Sequence, residues 1–184
     1  MELRPTRPVS SRLYRFFDWL IRRTFQDLGI REPTVAQYIA ELLAEFARTD
    51  NLYRIEELQG ERLETVVEML LAAQNLEADG PALVKEREIY KHTGDYILFM
   101  SGLFREYVEK NAFLGYYLRE GQRVYGKVFD MDIMLHRPGF LFHELAKEFE
   151  FYSGAVHYMR KTFFVDRPSG SPFADFSRQL EILV

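Results

Sequence analysis

LFHELAKEFEFYSGAVHYMRKTF, residues 141–163, carries the strongest helical signal in the chain. Its apolar side chains fall at Leu141, Leu145, Phe149, Tyr152, Val156, Met159 and Phe163, stepping by four or three without a miss. A helix turns once in about 3.6 residues, so this spacing lines one helical face, whereas a half-buried strand alternates with period two. The spacing predicts one long helix carrying a continuous apolar stripe.

The same period recurs outward in both directions. Arg12 to Leu28 sets Leu13, Phe16, Phe17, Leu20, Ile21, Phe25 and Leu28 on one face, with Arg15, Asp18, Arg22, Arg23 and Gln26 opposite. Gly29 ends that helix, because glycine tolerates the left-handed backbone that follows a helix. Pro33 suits the first turn of a second helix with the stripe Val35, Tyr38, Ile39, Leu42, Leu43 and Phe46. A third is expected from Gly60 to Gln74 on Leu63, Val66, Val67, Leu70 and Leu71, followed by a turn at Asn75–Gly80. Pro81 then opens a short fourth helix, and Thr93-Gly94-Asp95 is read as a hinge before a fifth that uses Ile97, Ser101, Phe104 and Val108. On that reading Lys91 and His92 sit at a helix C-terminus, where positive charge is favoured. A sixth helix is expected from Phe113 to Phe129, then a loop from Asp130 to Gly139. Residues 166–172 read as a loop, with Pro172 starting a short C-terminal helix. The sum is an all-α protein: one domain over residues 1–184, an N-terminal arm over 1–11, and a single compact bundle of about seven or eight helices.

Composition narrows the function classes. Apolar residues make up 47 % of the 184 and aromatic ones 15 %, so the chain has enough apolar surface to offset the entropy of ordering. A net charge of −4 argues against nucleic-acid binding, which needs clustered Lys and Arg. With no cysteine there is no disulfide framework, no thiolate metal site and no thiol nucleophile, which suits a reducing cytoplasm. The longest uncharged run, Tyr96 to Phe104, is nine residues, against about 20 for a membrane-spanning helix. Charge is uneven: residues 1–31 carry seven arginines against three acids, and residues 32–80 carry eleven acids against three arginines. The expectation is a basic first helix lying on acidic second and third helices. Its Phe, Trp and Arg content also suits a membrane surface, and burial of Phe16, Phe17, Trp19 and Leu20 in the core is what removes that reading.

Catalytic signatures fail at identifiable positions. His143-Glu144 begins the zinc-protease pattern, but Lys147 stands where the second histidine is needed. His143 and His157 are 14 residues apart, about 21 Å along a helix, too far to share an ion. A di-iron bundle needs Glu-x-x-His steps, and Glu88 to His92 is spaced by four. Asp130 and Asp132 read as loop acids facing solvent. No phosphate-binding glycine loop or Gly-x-Ser-x-Gly elbow occurs. No metal and no cofactor is expected.

The richest chemistry lies in EREIYKHTGDYILFMSGLF, residues 86–104, where Glu86, Arg87, Glu88, Lys91, His92 and Asp95 abut the long apolar run. Tyrosines crowd the second half of the chain, and a buried phenol needs a partner. Arg87, His92, Asp95, Tyr96, Tyr117 and Tyr125 are therefore the candidate ligand-binding residues, forming a tyrosine-lined pocket floored by Arg87, His92 and Asp95. Gly102, Gly115, Gly121 and Gly126 either let helices approach or leave room for a ligand.

The same segment, with the Gly-Tyr-Tyr and Gly-Gln-Arg-Val-Tyr run of residues 115–125 and Leu145, Phe149, Glu150 and Gly154, resembles a family of bacterial all-helical proteins of unknown function. The resemblance covers residues 60–165 and implies a shared helical fold, with no substrate, cofactor or catalytic residue. The family pattern carries Phe-Pro-Glu or Tyr-Pro-Glu where this chain has Phe104-Arg105-Glu106, so the fifth helix is expected to run on past Phe104. Three functions stay open: a non-enzymatic module binding a small molecule or a partner protein, including its own copy as a homodimer; an enzyme using His92 and Asp95 as acid and base with Arg87 holding an anion; and a membrane-surface protein led by the first helix.

Overall fold

Twelve consecutive residues, Thr93 to Phe104, are buried on every side. A helix that is apolar all round belongs in the middle of a protein, and that is where this one lies. The computed structural model describes residues 11–48, 62–74, 80–165 and 170–184. Nine helices run through them: α1 (Ser11–Leu28), α2 (Pro33–Phe46), α3 (Arg62–Gln74), α4 (Gly80–Leu103), α5 (Arg105–Lys110), α6 (Leu114–Met134), α7 (Phe140–Lys147), α8 (Phe149–Phe163) and α9 (Pro172–Leu183). No strand occurs among the described residues, and the fold is all-α. Residues 1–10 of the expected arm at 1–11, 75–79 of the expected turn at 75–80 and 166–169 of the expected loop at 166–172 lie outside the described residues.

The 24-residue α4 is the hub, packed against α2, α3, α5, α6 and α8. Around it α1 lies on α2 and α8, and α7 lies on α6 and α8. α9 docks through rings: Phe173 and Phe176 close on Phe104 with centroids 4.3 and 5.5 Å away. Phe17, Leu20 and Ile21 of α1 and Val35, Ile39 and Leu43 of α2 join α4 in one core cluster. The glycine after α1 behaves as read: Gly29 has φ of 70°, and Ile30 N–H donates back to Phe25 O at 2.8 Å.

Several boundaries differ from the sequence expectation. Thr93-Gly94-Asp95 is no hinge, since α4 runs through it unbroken. Gly94 is there for proximity: a Cβ on it would lie 2.7 Å from the Tyr125 ring, so glycine lets that ring lie against the α4 backbone. Lys91 and His92 are accordingly mid-helix.

The chain bends instead at Phe104 (φ −116°, ψ 31°), although no proline follows, and at Glu148 (φ −113°, ψ 28°), inside what reads as one long helix. Helical hydrogen bonds bridge both bends, Val108 N–H to Phe104 O and Tyr152 N–H to Glu148 O, each 3.0 Å. The cost of bending is therefore small. The gain is packing: past Phe104 the chain turns toward α9, and past Glu148 the Phe149 ring seats against Gly121, where a Cβ would come within 2.1 Å of it.

The expected loop at Asp130–Gly139 is helical as far as Met134, because Met131 and Asp132 face inward. His136 then takes the left-handed conformation, φ 54°, that ends α6. The stripe on α3 is narrower than expected: Val66, Leu70 and Ala73 are buried against α4, while Val67 and Leu71 face solvent.

The basic first helix does not lie on acidic neighbours through ion pairs of Arg22 and Arg23. Those arginines pair with Asp18 and Asp27 of α1 itself, at 2.9 and 3.2 Å. Its apolar face is spent on the core: Phe17 and Leu20 are buried and Phe16 is half-buried, packed edge-on to Phe164. Trp19 remains 59 % exposed, with Phe163 edge-on beside it. No helix among the described residues is long and apolar enough to cross a membrane.

Candidate functional site

α4 presents Arg87, Lys91 and Asp95 at intervals of four, so they form one ridge. Asp95 is buried and accepts three hydrogen bonds. Tyr38 Oη of α2 and Tyr125 Oη of α6 both donate to Oδ1, at 2.5 and 2.7 Å, and Lys91 Nζ donates to Oδ2 at 2.8 Å. Two turns toward the N-terminus from Asp95, Arg87 grips Asp132 of α6 in a two-pronged pair. Nε donates to Oδ1 at 2.6 Å and Nη2 to Oδ2 at 3.0 Å, while Nη1 donates to Glu88 at 2.6 Å.

Phe142 of α7 joins the two halves. The Arg87 guanidinium lies 5.2 Å from its centroid, and the Tyr38 and Tyr125 rings contact it at 5.5 and 5.7 Å. Four helices thus meet at one buried polar cluster. Its accessible end is Lys91, whose ammonium lies over the Tyr38 ring.

The electrostatics follow from burial. Desolvation and the neighbouring Asp95 carboxylate push both phenols, Tyr38 and Tyr125, well above the ordinary tyrosine range, so they remain donors. Burial works against the Arg87 charge, but hydrogen bonds to Asp132 and Glu88 outweigh it and hold its pKa above the usual value. Every formal charge in the cluster has a partner of opposite sign. Such an arrangement ties helices together; it leaves no proton acceptor waiting for a substrate.

The structure therefore brings Arg87, Asp95 and Tyr125 into one cluster. It does not add His92, whose ring stacks on Phe46 at 5.5 Å, while the hydrogen bonds to Asp95 come from Tyr38, Tyr125 and Lys91. Desolvation beside that ring lowers the His92 pKa, against the pull of nearby Asp95. Tyr96 is buried next to Phe46 on that same side. Tyr117 is buried on α6 against Phe113, eight residues and about 12 Å from Tyr125. Three members of the cluster are absent from the candidate set. Asp132 is only 1 % exposed, far from the solvent-facing loop acid expected at that position. Its signal is the two-turn spacing from Tyr125 through Val128 along one face of α6. Tyr38 reads as ordinary core until its hydroxyl is placed, and Lys91 reads as a helix-end charge.

A surface concavity lies elsewhere. It is a groove of about 540 Å³ at the corner where α1 turns into α2. Phe25, Ile30, Pro33 and Ala36 supply apolar wall, and Arg22, Arg31 and Glu32 supply charge. No acid among the described residues lies within ion-pairing distance of the exposed Arg31, whereas Arg22 is held by Asp18. Among the described residues no three His, Asp or Glu side chains are grouped to hold a metal ion. No family model, curated protein or solved structure matches this chain. What it can do rests on its own geometry.

Proposed function

We propose that this protein is a cytoplasmic helical module that binds a small molecule with an apolar body and an anionic end, seated in the α1–α2 groove. The observation that carries this reading is the composition of that groove. A volume of about 540 Å³ falls within the 300–1,000 Å³ or so typical of small-molecule sites, with mostly apolar walls and a few polar groups to orient the ligand. Phe25, Ile30 and Ala36 cover an aliphatic or aromatic body, and Arg31 meets a carboxylate or sulfonate at the rim. The buried cluster around Asp95 supports the same reading from the other side. It spends its acids and cations on each other, and His92 stands apart from it, so the acid–base alternative has no assembled pair to work with.

The test is native mass spectrometry of the purified chain for a retained molecule, followed by calorimetry with medium-chain and aromatic carboxylates. The expected result is saturable binding that Arg31→Glu weakens by about tenfold or more, since reversal both removes an attraction and adds a repulsion. A clean apo spectrum and no binding across the panel would move the function to a partner protein.

A further inference from the structure

An anion-ended ligand in the α1–α2 groove answers Arg31 and leaves Glu32 unanswered. Glu32 lines the groove beside Arg31 and is half-buried, whereas Arg31 is exposed. It stands at the N-cap of α2, yet its side chain makes no capping hydrogen bond. Pro33 follows it, so the first N–H that a cap could accept is missing. Its backbone carbonyl takes the Ala36 N–H at 3.0 Å, but no cation among the described residues pairs with its carboxylate. The nearby arginines Arg22 and Arg23 are held by Asp18 and Asp27.

Negative charge continues behind the groove wall. The Phe25 ring stacks on Tyr152 of α8 at 6.1 Å, and the Tyr152 hydroxyl donates to Glu144 of α7 at 2.9 Å. Burial, that hydrogen bond and the charges of Glu144, Glu32 and Glu148 together hold the phenol above the ordinary tyrosine range. Three carboxylates therefore act on the space around one hydroxyl. Among the described residues the cation that pairs with one of them is Lys147, which is exposed and lies 3.3 Å from Glu148. The groove thus has a positive outer rim at Arg31 and a negative inner side at Glu32.

We infer that the groove ligand is a free α-amino acid with a large apolar side chain, its carboxylate on Arg31, its ammonium on Glu32 and its side chain on Phe25, Ile30 and Ala36. This rests on the reading of the groove as a small-molecule site and adds the second charge. Arg31 and Glu32 are consecutive, their Cα atoms about 3.8 Å apart, and an α-amino acid carries its two charged groups on one carbon. A ligand with a carboxylate alone satisfies Arg31, and its burial of the half-exposed Glu32 carboxylate is uncompensated. A zwitterion satisfies both residues at once. A volume of about 540 Å³ leaves room for a ring as well as for an aliphatic branch.

The test is calorimetry on the full-length chain with matched sets: leucine and phenylalanine, the same molecules without the amine (4-methylpentanoate and 3-phenylpropionate), and the same molecules without the carboxylate (isopentylamine and phenethylamine). The expected result is saturable binding of an amino acid about tenfold or more tighter than either of its truncated forms, because each truncation strands one charge of the site. Glu32→Gln keeps the shape of the side chain and is expected to bring the amino acid within about twofold of the deaminated acid, whose own affinity stays or rises. A deaminated acid that binds as tightly as its amino acid overturns the zwitterion and leaves the anionic reading of the groove standing. An amine that binds as tightly as its amino acid overturns both, and so does the absence of binding across all three sets. Equal weakening of amino acid and deaminated acid by Glu32→Gln, or no effect on either, overturns the part given to Glu32.

Discussion

Asp95 and Asp132 show why residue type alone misleads about role. Both are acids beside apolar sequence, and both are saturated from neighbouring helices: Asp95 by two phenols and an ammonium, Asp132 by one guanidinium. Removing one partner of such a pair strands the other charge in the interior, which is costlier than losing the pair. Arg87→Met is therefore expected to lower stability by about 3–5 kcal/mol, and adding Asp132→Leu to recover most of that loss. Urea denaturation of the two variants checks it. A single variant costing under about 1 kcal/mol would mean that the pair does not bind α4 to α6. Half of this cluster was legible beforehand. Arg87, Asp95 and Tyr125 stand out as polar groups on apolar faces, but a carboxylate and its distant phenols share no sequence spacing. Asp132 lies 45 residues from Arg87, and Tyr38 lies 57 from Asp95.

At the scale of the element, periodicity located the helices and misplaced their breaks. A glycine followed by aspartate is a fair stop signal, yet α4 passes straight through Gly94 because the ring of Tyr125 occupies the space a side chain would need. Gly94→Ala gains up to about 1 kcal/mol of helix propensity, but its methyl lands 2.7 Å from that ring. Overpacking of this kind costs about 1–3 kcal/mol, so a lowered melting temperature and an altered near-ultraviolet tyrosine signal are expected. A stabilised variant would restore the hinge reading. The real bends, at Phe104 and Glu148, carry no local signal. Neither residue is proline or glycine, the apolar stripe continues across Glu148, and helical hydrogen bonds persist over both. What bends them is the position of partners: α9 for the first, and α6 with its Gly121 for the second.

For the molecule as a whole, groups whose pKa values shift on folding set the pH range of stability. Tyr38 and Tyr125 have pKa values raised on folding, so the native state keeps its phenolic protons longer than the unfolded chain does. Their contribution is complete below the unfolded value of about 10 and is lost as pH rises beyond it. His92 and His157 are shifted the other way, so the native state binds fewer protons than the unfolded chain. Their contribution is complete above about pH 6.5 and is lost as pH falls through the lowered native values. Stability is expected to plateau between these limits, with His157→Gln flattening the acid limb and Tyr38→Phe the alkaline one, as read by denaturation midpoints across pH. An acid limb unchanged in His157→Gln would show that its ring titrates alike in both states. Fold class was already written in the residue order, because a three-to-four spacing of apolar residues can bury one face only as a helix, and the same order places the capping Gly29 and the initiating Pro33 and Pro172. Which charges are spent on each other and where helices bend came from packing alone. Those depend on contacts between residues tens of positions apart, and helical spacing carries information about neighbours on the same helix alone.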